Sequence, residues 1–198
     1  ERWMGLLRTH QIAEIPDEPG AEVRIAGFVE TVKEVGRLVC VWVRDRTGVA
    51  QLTLKAGQVD ESLIELAKSL NTHDVIAATG RVPEKRAARV GMELIPRSIE
   101  VLSRAERLPI DVTGTVQTQL DTRLDYRPID LRSPRNQAIF RIQHSLVKGM
   151  VEYLDSRGFV QVFTPCIIGA PSESGAEMFE IDYFGRKAYL RQDPQLHR

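Results

Sequence analysis

Between residues 21 and 104 the apolar period switches from two to about 3.6 and back again, and this switch limits the possible folds most. "AEVRIAGFVETV" alternates apolar and polar residues, with Gly27 in mid-strand. "RLVCVWVRD" is rich in β-formers, "RDRTG" reads as the turn after it, and "VAQLTLKAG" is a third strand. "VDESLIELAKSL" then places Leu63, Ile64, Leu66, Ala67 and Leu70 at helical spacing, with acidic residues in the first turn. "DVIAATGRVPE" and "MELIPRSIEVLS" supply two further strands.

Three strands, a helix and two strands is the element order of an OB-fold barrel, although other small barrels share similar patterns. Gly27 inside the first strand suits the sharp coiling of a strand that serves both halves of such a barrel. Residues 1–104 are therefore expected to form one domain. Residues 105–132, with Pro109, Gly114 and no sustained period, read as a hinge. Residues 133–198 open on a long helix. Ser133 can cap it, Pro134 fits its first turn, Ile139, Ile142, Leu146, Met150 and Leu154 line one stripe, and Gly158 can stop it. "FVQVFTPCII" and "KAYLRQ" read as strands of a second sheet.

The 198 residues carry 27 basic and 27 acidic side chains, so no global field steers the chain toward nucleic acid and any such contact must be local. Cys40 and Cys166 are far apart and lack metal-ligand spacing, which fits a reducing compartment. No apolar run approaches the ~20 residues of a membrane span, and the first residues show no signal-peptide pattern. A cytoplasmic protein without membrane partners is expected. His10, His73, His144 and His197 show no ligand spacing, so no metal is assigned.

Taken together, these segments resemble the class II aminoacyl-tRNA synthetases, above all the aspartyl/asparaginyl subgroup with an N-terminal OB domain and its archaeal-type members. "VRDRTGVAQLT" resembles the second and third barrel strands of that subgroup, and "LDTRLDYRPIDLRSP" its hinge and entry to the catalytic domain. "GFVQVFTPCI" fits the first class-defining motif, and "SESGAEMF" and "YLRQDPQLHR" resemble the segments that hold the amino acid. The resemblance implies an all-β OB-fold barrel that binds the anticodon, followed by the start of an α+β catalytic domain: an antiparallel sheet with flanking helices. It implies an aspartate--tRNA ligase type of enzyme, with tRNA, ATP and aspartate or asparagine as partners, acting as a homodimer.

The resemblance also assigns residues. Glu173 matches a glutamate that accepts hydrogen bonds from the substrate's α-ammonium, and Gln195 a glutamine that contacts the amino acid. Arg198 falls where aspartyl enzymes usually place a lysine for the substrate's side-chain carboxylate, and Asp193 where a serine is usual. Arginine keeps the charge but not the geometry, so aspartate and asparagine both stay open. On the barrel, Lys33 and Gln51 match polar positions that face the anticodon, and Cys40 takes the place of the usual phenylalanine. Trp42 shares the face of Cys40 and could substitute for that ring, but a core position is the first expectation for it. Pro165 and the long helix imply the dimer interface. Arg123, Arg127, Arg132, Arg135 and Arg141 could contact phosphates, a partner subunit or nearby aspartates, and Glu177 could cap a helix or lie on the surface. The family's second and third motifs, with its ATP-binding arginines, do not occur in these residues. No catalytic residue is assigned within them, and ATP and Mg2+ are expected to need the rest of the enzyme.

Overall fold

Alternation along the first strand breaks once, between Val29 and Val32, and the break shapes the barrel. The computed structural model describes residues 8–85, 88, 91–114, 116–170 and 178–191, in two units divided after Pro109. The first unit holds β1 (Glu22–Val35), β2 (Leu38–Arg44), β3 (Val49–Lys55), α1 (Glu61–Lys68), β4 (Val75–Arg81) and β5 (Met92–Ser103). Its strands close in the order β1-β2-β3-β5-β4, with β4 returning to pair with β1. The β3–β5 pairing is parallel and the others are antiparallel. This is the OB-fold barrel expected from the element order.

Inward side chains follow the alternation. Val39, Val41 and Val43 of β2 meet Ala50, Leu52 and Leu54 of β3 in one core with Ile76, Ala78, Leu94 and Ile99. Helix α1 adds Ile64 and Ala67, and Leu70 just beyond it joins them. Burying each of the larger aliphatic side chains stabilises the barrel by about 1.5–3 kcal/mol. A Cβ on Gly27 would run into the Arg44 carbonyl, so only glycine lets β1 approach β2 where it bends. Just beyond, the β1–β2 register shifts between Val29 and Thr31, leaving Glu30 as the extra residue of a bulge. Before the bulge Val23, Ile25 and Val29 point inward. After it Val32 packs against the core, so Thr31 and Lys33 face out.

The second unit holds α2 (Leu120–Asp125), α3 (Arg127–Asp130), α4 (Pro134–Ser156), β6 (Ile167–Ile168), β7 (Glu180–Tyr183) and β8 (Arg186–Leu190). The hinge expected to lack regular structure thus contains two short helices. Asp130, 4% exposed, fixes them: it accepts from Arg123 and Arg127, and the Asn136 amide of α4 reaches both its backbone carbonyl and its carboxylate. The Arg123 hydrogen bond holds the Asp130 carboxyl below its ordinary value, despite the opposing effect of burial. Helix α4 begins with Pro134 in its first turn, as expected, but the Ser133 side chain makes no capping bond. It ends as expected at Gly158, whose positive φ of 83° lets its N–H reach Asp155 while Phe159 N–H reaches Leu154, a Schellman arrangement.

One expectation is corrected here. "FVQVFTPCII" is not a continuous strand: only Ile167 and Ile168 pair, as β6 against β8. Of the rest, only the Cys166 carbonyl continues that pairing, accepting from Arg191 N–H (2.9 Å), while residues 159–165 have no neighbouring strand among the described residues and Pro165 has no N–H to donate. The "KAYLRQ" strand is present as β8, central in the antiparallel order β6-β8-β7.

Candidate functional site

Three of the residues assigned to the barrel come together on its outer face. Because cross-strand partners share a face, Lys33 of β1, Cys40 of β2 and Thr53 of β3 form one row. Thr31, Trp42, Gln51 and Glu93 form the adjacent row, crossing β1, β2, β3 and β5. The bulge in β1 puts Lys33 in this array, since strict alternation would have turned it inward.

Polar groups in the array are joined. The Gln51 amide donates to Cys40 Sγ (3.6 Å) and to Thr53 Oγ1 (3.0 Å), and the Thr53 hydroxyl donates to Glu93 Oε1 (2.6 Å). The other Glu93 oxygen accepts from Ala88 N–H (2.9 Å), which ties the segment before β5 to this face. Although they point away from the core, Cys40, Gln51 and Glu93 are buried. Burial, and then the Glu93 charge, push the Cys40 thiol above its ordinary value, so it stays neutral at physiological pH.

Trp42 corrects a second expectation. It is half-buried on the outer face beside Cys40, not in the core, because Val41 and Val43 on either side of it are the inward residues of β2. The exposed Lys33 holds its ammonium over the Trp42 ring, 5.6 Å from the centroid. The array therefore offers a flat ring and an exposed cation, a pair that can stack a planar base and meet a phosphate, while the Gln51 carboxamide and the Glu93 carboxylate are buried and bonded within the face. Glu93 was not expected from the sequence. The only signal for it is a carboxylate between Met92 and Leu94 in a strand-like run.

The remaining assigned residues are not assembled with these. Pro165 lies in the irregular, exposed stretch after α4. Glu173, Gln195 and Arg198, and with them Glu177 and Asp193, lie outside the described residues. Within the basic cluster, Arg123 and Arg127 pair with Asp130, while Arg135 and Arg141 are exposed on α4. Helix α4 presents Ile139, Ile142, Leu146, Met150 and Leu154 at 45–69% exposure within its unit's surface.

Comparison with known proteins agrees with this layout. Residues 23–102 match the OB-fold nucleic acid binding domain family, and residues 119–198 match the tRNA synthetases class II (D, K and N). The chain is 43% identical over 195 residues to the aspartate--tRNA(Asp) ligase of Pyrococcus horikoshii, covering 98% of this chain and 44% of that relative. It is 45% identical over 193 residues to the aspartate--tRNA(Asp/Asn) ligase of Archaeoglobus fulgidus, covering 97% of this chain and 45% of that relative. Among solved structures it is similar to the asparaginyl-tRNA synthetase of P. horikoshii complexed with asparaginyl-adenylate, with TM-score 0.81 and 32% identity over 90% of this chain and 41% of that one. The chain thus spans a little under half the length of these relatives. An OB-fold barrel followed by residues that match the class II synthetase model makes the chain similar, over that part of their length, to the aspartyl- and asparaginyl-tRNA synthetases.

Proposed function

We propose that these residues are the tRNA-reading barrel and the first part of the amino-acid site of an aspartate-type aminoacyl-tRNA ligase. The whole protein would activate aspartate or asparagine with ATP and Mg2+, transfer it to tRNA, and work as a cytoplasmic homodimer. The observation that carries the reading is the outward row Thr31, Trp42, Gln51 and Glu93 on a barrel matched to nucleic-acid-binding OB folds. A net charge of zero makes such a local array necessary for any tRNA contact. In this reading Lys33 meets backbone phosphate, Gln51 pairs with an anticodon base edge, and Cys40 supports Gln51. The barrel domain takes residues 1–104, the hinge 105–132 and the catalytic part 133–198.

In the amino-acid site, Glu173 and Gln195 would take the α-ammonium and Arg198 the side-chain carboxylate. The substrate's own carboxylate attacks the α-phosphate, so the chemistry needs positioning and charge neutralisation more than a protein nucleophile. The exposed apolar stripe of α4, with Pro165 beyond it, supports a subunit interface to the extent that further chain of the same subunit leaves it uncovered, since that much apolar surface on one helix has to be buried by one or the other. A second reading, a divergent paralogue with altered amino-acid or tRNA recognition, is favoured by three residues that depart from the usual pattern: Cys40, Asp193 and Arg198.

Amino-acid-dependent exchange of labelled pyrophosphate into ATP, measured on the full-length protein, tests both readings. Exchange with aspartate or asparagine, followed by charging of tRNA, is expected from the first. Exchange without charging would select the paralogue, and no exchange with either amino acid would overturn both.

A further inference from the structure

We propose that Arg191 is a positioning residue of the amino-acid site: its guanidinium holds the Asp193 carboxylate and cancels a charge that would otherwise repel an acidic substrate. This rests on the amino-acid-site reading above and deepens it. Arg191 is half-buried, and its Nη1 is closed off from solvent with no hydrogen-bond partner among the described residues. A buried guanidinium nitrogen left that way is costly, so a native site provides it with a partner. The sheet around it does not. The two carboxylates carried by β6, β7 and β8 are already engaged, Glu180 with the Lys187 ammonium (2.9 Å) and Asp182 with the Gly185 N–H (2.8 Å).

The backbone directs the search to the chain just ahead. Arg191 follows β8 directly, and its N–H donates to the Cys166 carbonyl (2.9 Å), one step beyond the Ile167–Leu190 pair, so the extended course of the strand runs through it. Asp193, outside the described residues, stands two positions on and precedes Pro194, and a residue before proline is held to the extended region. In an extended run, positions 191 and 193 share a face about 6.6 Å apart, close enough for an arginine fork to meet a carboxylate. Gln195 and Arg198, read above as gripping the substrate, lie in the same segment. An unpaired Asp193 carboxylate there would disfavour a second negative charge, and aspartate brings one on its side chain where asparagine brings none. Arg191 removes that penalty without adding net charge. Asp193 is then a compensated departure from the usual serine, and aspartate stays acceptable.

The test follows pyrophosphate exchange by the full-length protein and records the apparent constants for aspartate and asparagine, each as substrate or as competitor. Arg191→Met should raise the aspartate constant roughly tenfold, while kcat and the asparagine constant change by less than about threefold. Arg191→Lys, which keeps the charge, should stay within about threefold of the parent for both. Adding Asp193→Ser to Arg191→Met should bring the aspartate constant back to within about threefold of the parent, a rescue that loss of a purely structural contact would not give. Equal losses for the two amino acids in Arg191→Met, unrelieved by Asp193→Ser, would overturn the proposal and leave the amino-acid-site reading standing. No exchange by the parent with either amino acid would overturn the reading and the proposal together. Should Arg191→Met fail to fold, Asp193→Ser alone decides. It frees the Arg191 charge and should lower the aspartate constant relative to that of asparagine, and an unchanged ratio would overturn the proposal.

Discussion

Cys40 shows how one residue can point outward and still be shielded. Its strand position puts it on the outer face, yet Gln51 covers its sulfur, and burial, followed by the Glu93 charge, raises its thiol pKa. A raised pKa means less thiolate at any given pH, and the thiolate is the nucleophile. Cys166 is exposed. A disulfide-exchange reagent at neutral pH should therefore find one fast thiol and one slow one, and Cys166→Ser should remove the fast phase. Glu93→Gln removes the charge that helps raise the pKa, so the slow phase should speed up in that variant while the fast phase does not change. Equal rates for the two thiols would contradict the burial of Cys40. In the sequence, Lys33, Cys40 and Gln51 stand out one at a time through the family resemblance, and alternation adds only that Cys40 and Trp42 share a face. It left open which face was inside, and that misplaced Trp42. Glu93 escaped notice because its neighbour Gln51 lies on a parallel strand more than forty positions earlier, a pairing that no local pattern announces.

At the scale of elements, the barrel strands and α1 were legible because apolar side chains recur at the right period and Gly27 marks the bend. The strand expected over residues 159–168 was misread because an alternating pattern records what a segment could pair with, not whether a neighbour exists. The junction that closes the barrel was also invisible in sequence. Asp74, fully buried just before β4, accepts from Asn71 N–H (2.9 Å), Ala105 N–H (2.7 Å) and the Arg104 guanidinium (2.9 Å), tying the end of the helix region to the residues after β5. Burial alone would raise its pKa. The two backbone N–H groups and Arg104 outweigh burial and hold the carboxyl below its ordinary value of 3.8. A carboxyl with a lowered folded-state pKa contributes stability that is complete above the unfolded value and is lost as pH falls through the folded one. The barrel should therefore keep constant stability down to about pH 5 and lose it progressively below 3.8. Asp74→Asn turns an amide N–H2 toward donors and should cost about 2 kcal/mol at neutral pH, little of it from the half-exposed Arg104. The same variant should flatten the acid limb of the stability curve, as measured by urea melts followed at Trp42. An unchanged acid limb would show that other carboxylates control it.

The two units differ at the scale of the whole molecule in how completely each buries its own apolar surface. The first unit contains the continuous core cluster, from Ile12 through Ile99, inside a sheet with no free edge. The second contributes few of the buried hydrophobics, while nearly all of the exposed large ones belong to it: Ile142 at 69%, Leu146 at 63%, Phe159 at 64%, Val160 at 83% and Phe163 at 89%. Its sheet, β6-β8-β7, also has open edges within the described residues. A region with that much unburied apolar surface needs further chain or a second subunit to offset its ordering entropy, whereas a closed barrel with its own core does not. Residues 1–109 expressed alone should therefore give a soluble monomer with a single cooperative urea transition and dispersed amide signals. Residues 110–198 expressed alone should bind a hydrophobic dye, self-associate as concentration rises and unfold without a sharp transition. Replacing Ile142 and Leu146 with glutamate should reduce that association without shifting the melt of the barrel piece. Cooperative unfolding of a monomeric 110–198 piece would show that this unit finds its core unaided, and would remove the main physical support for the proposed subunit interface on α4.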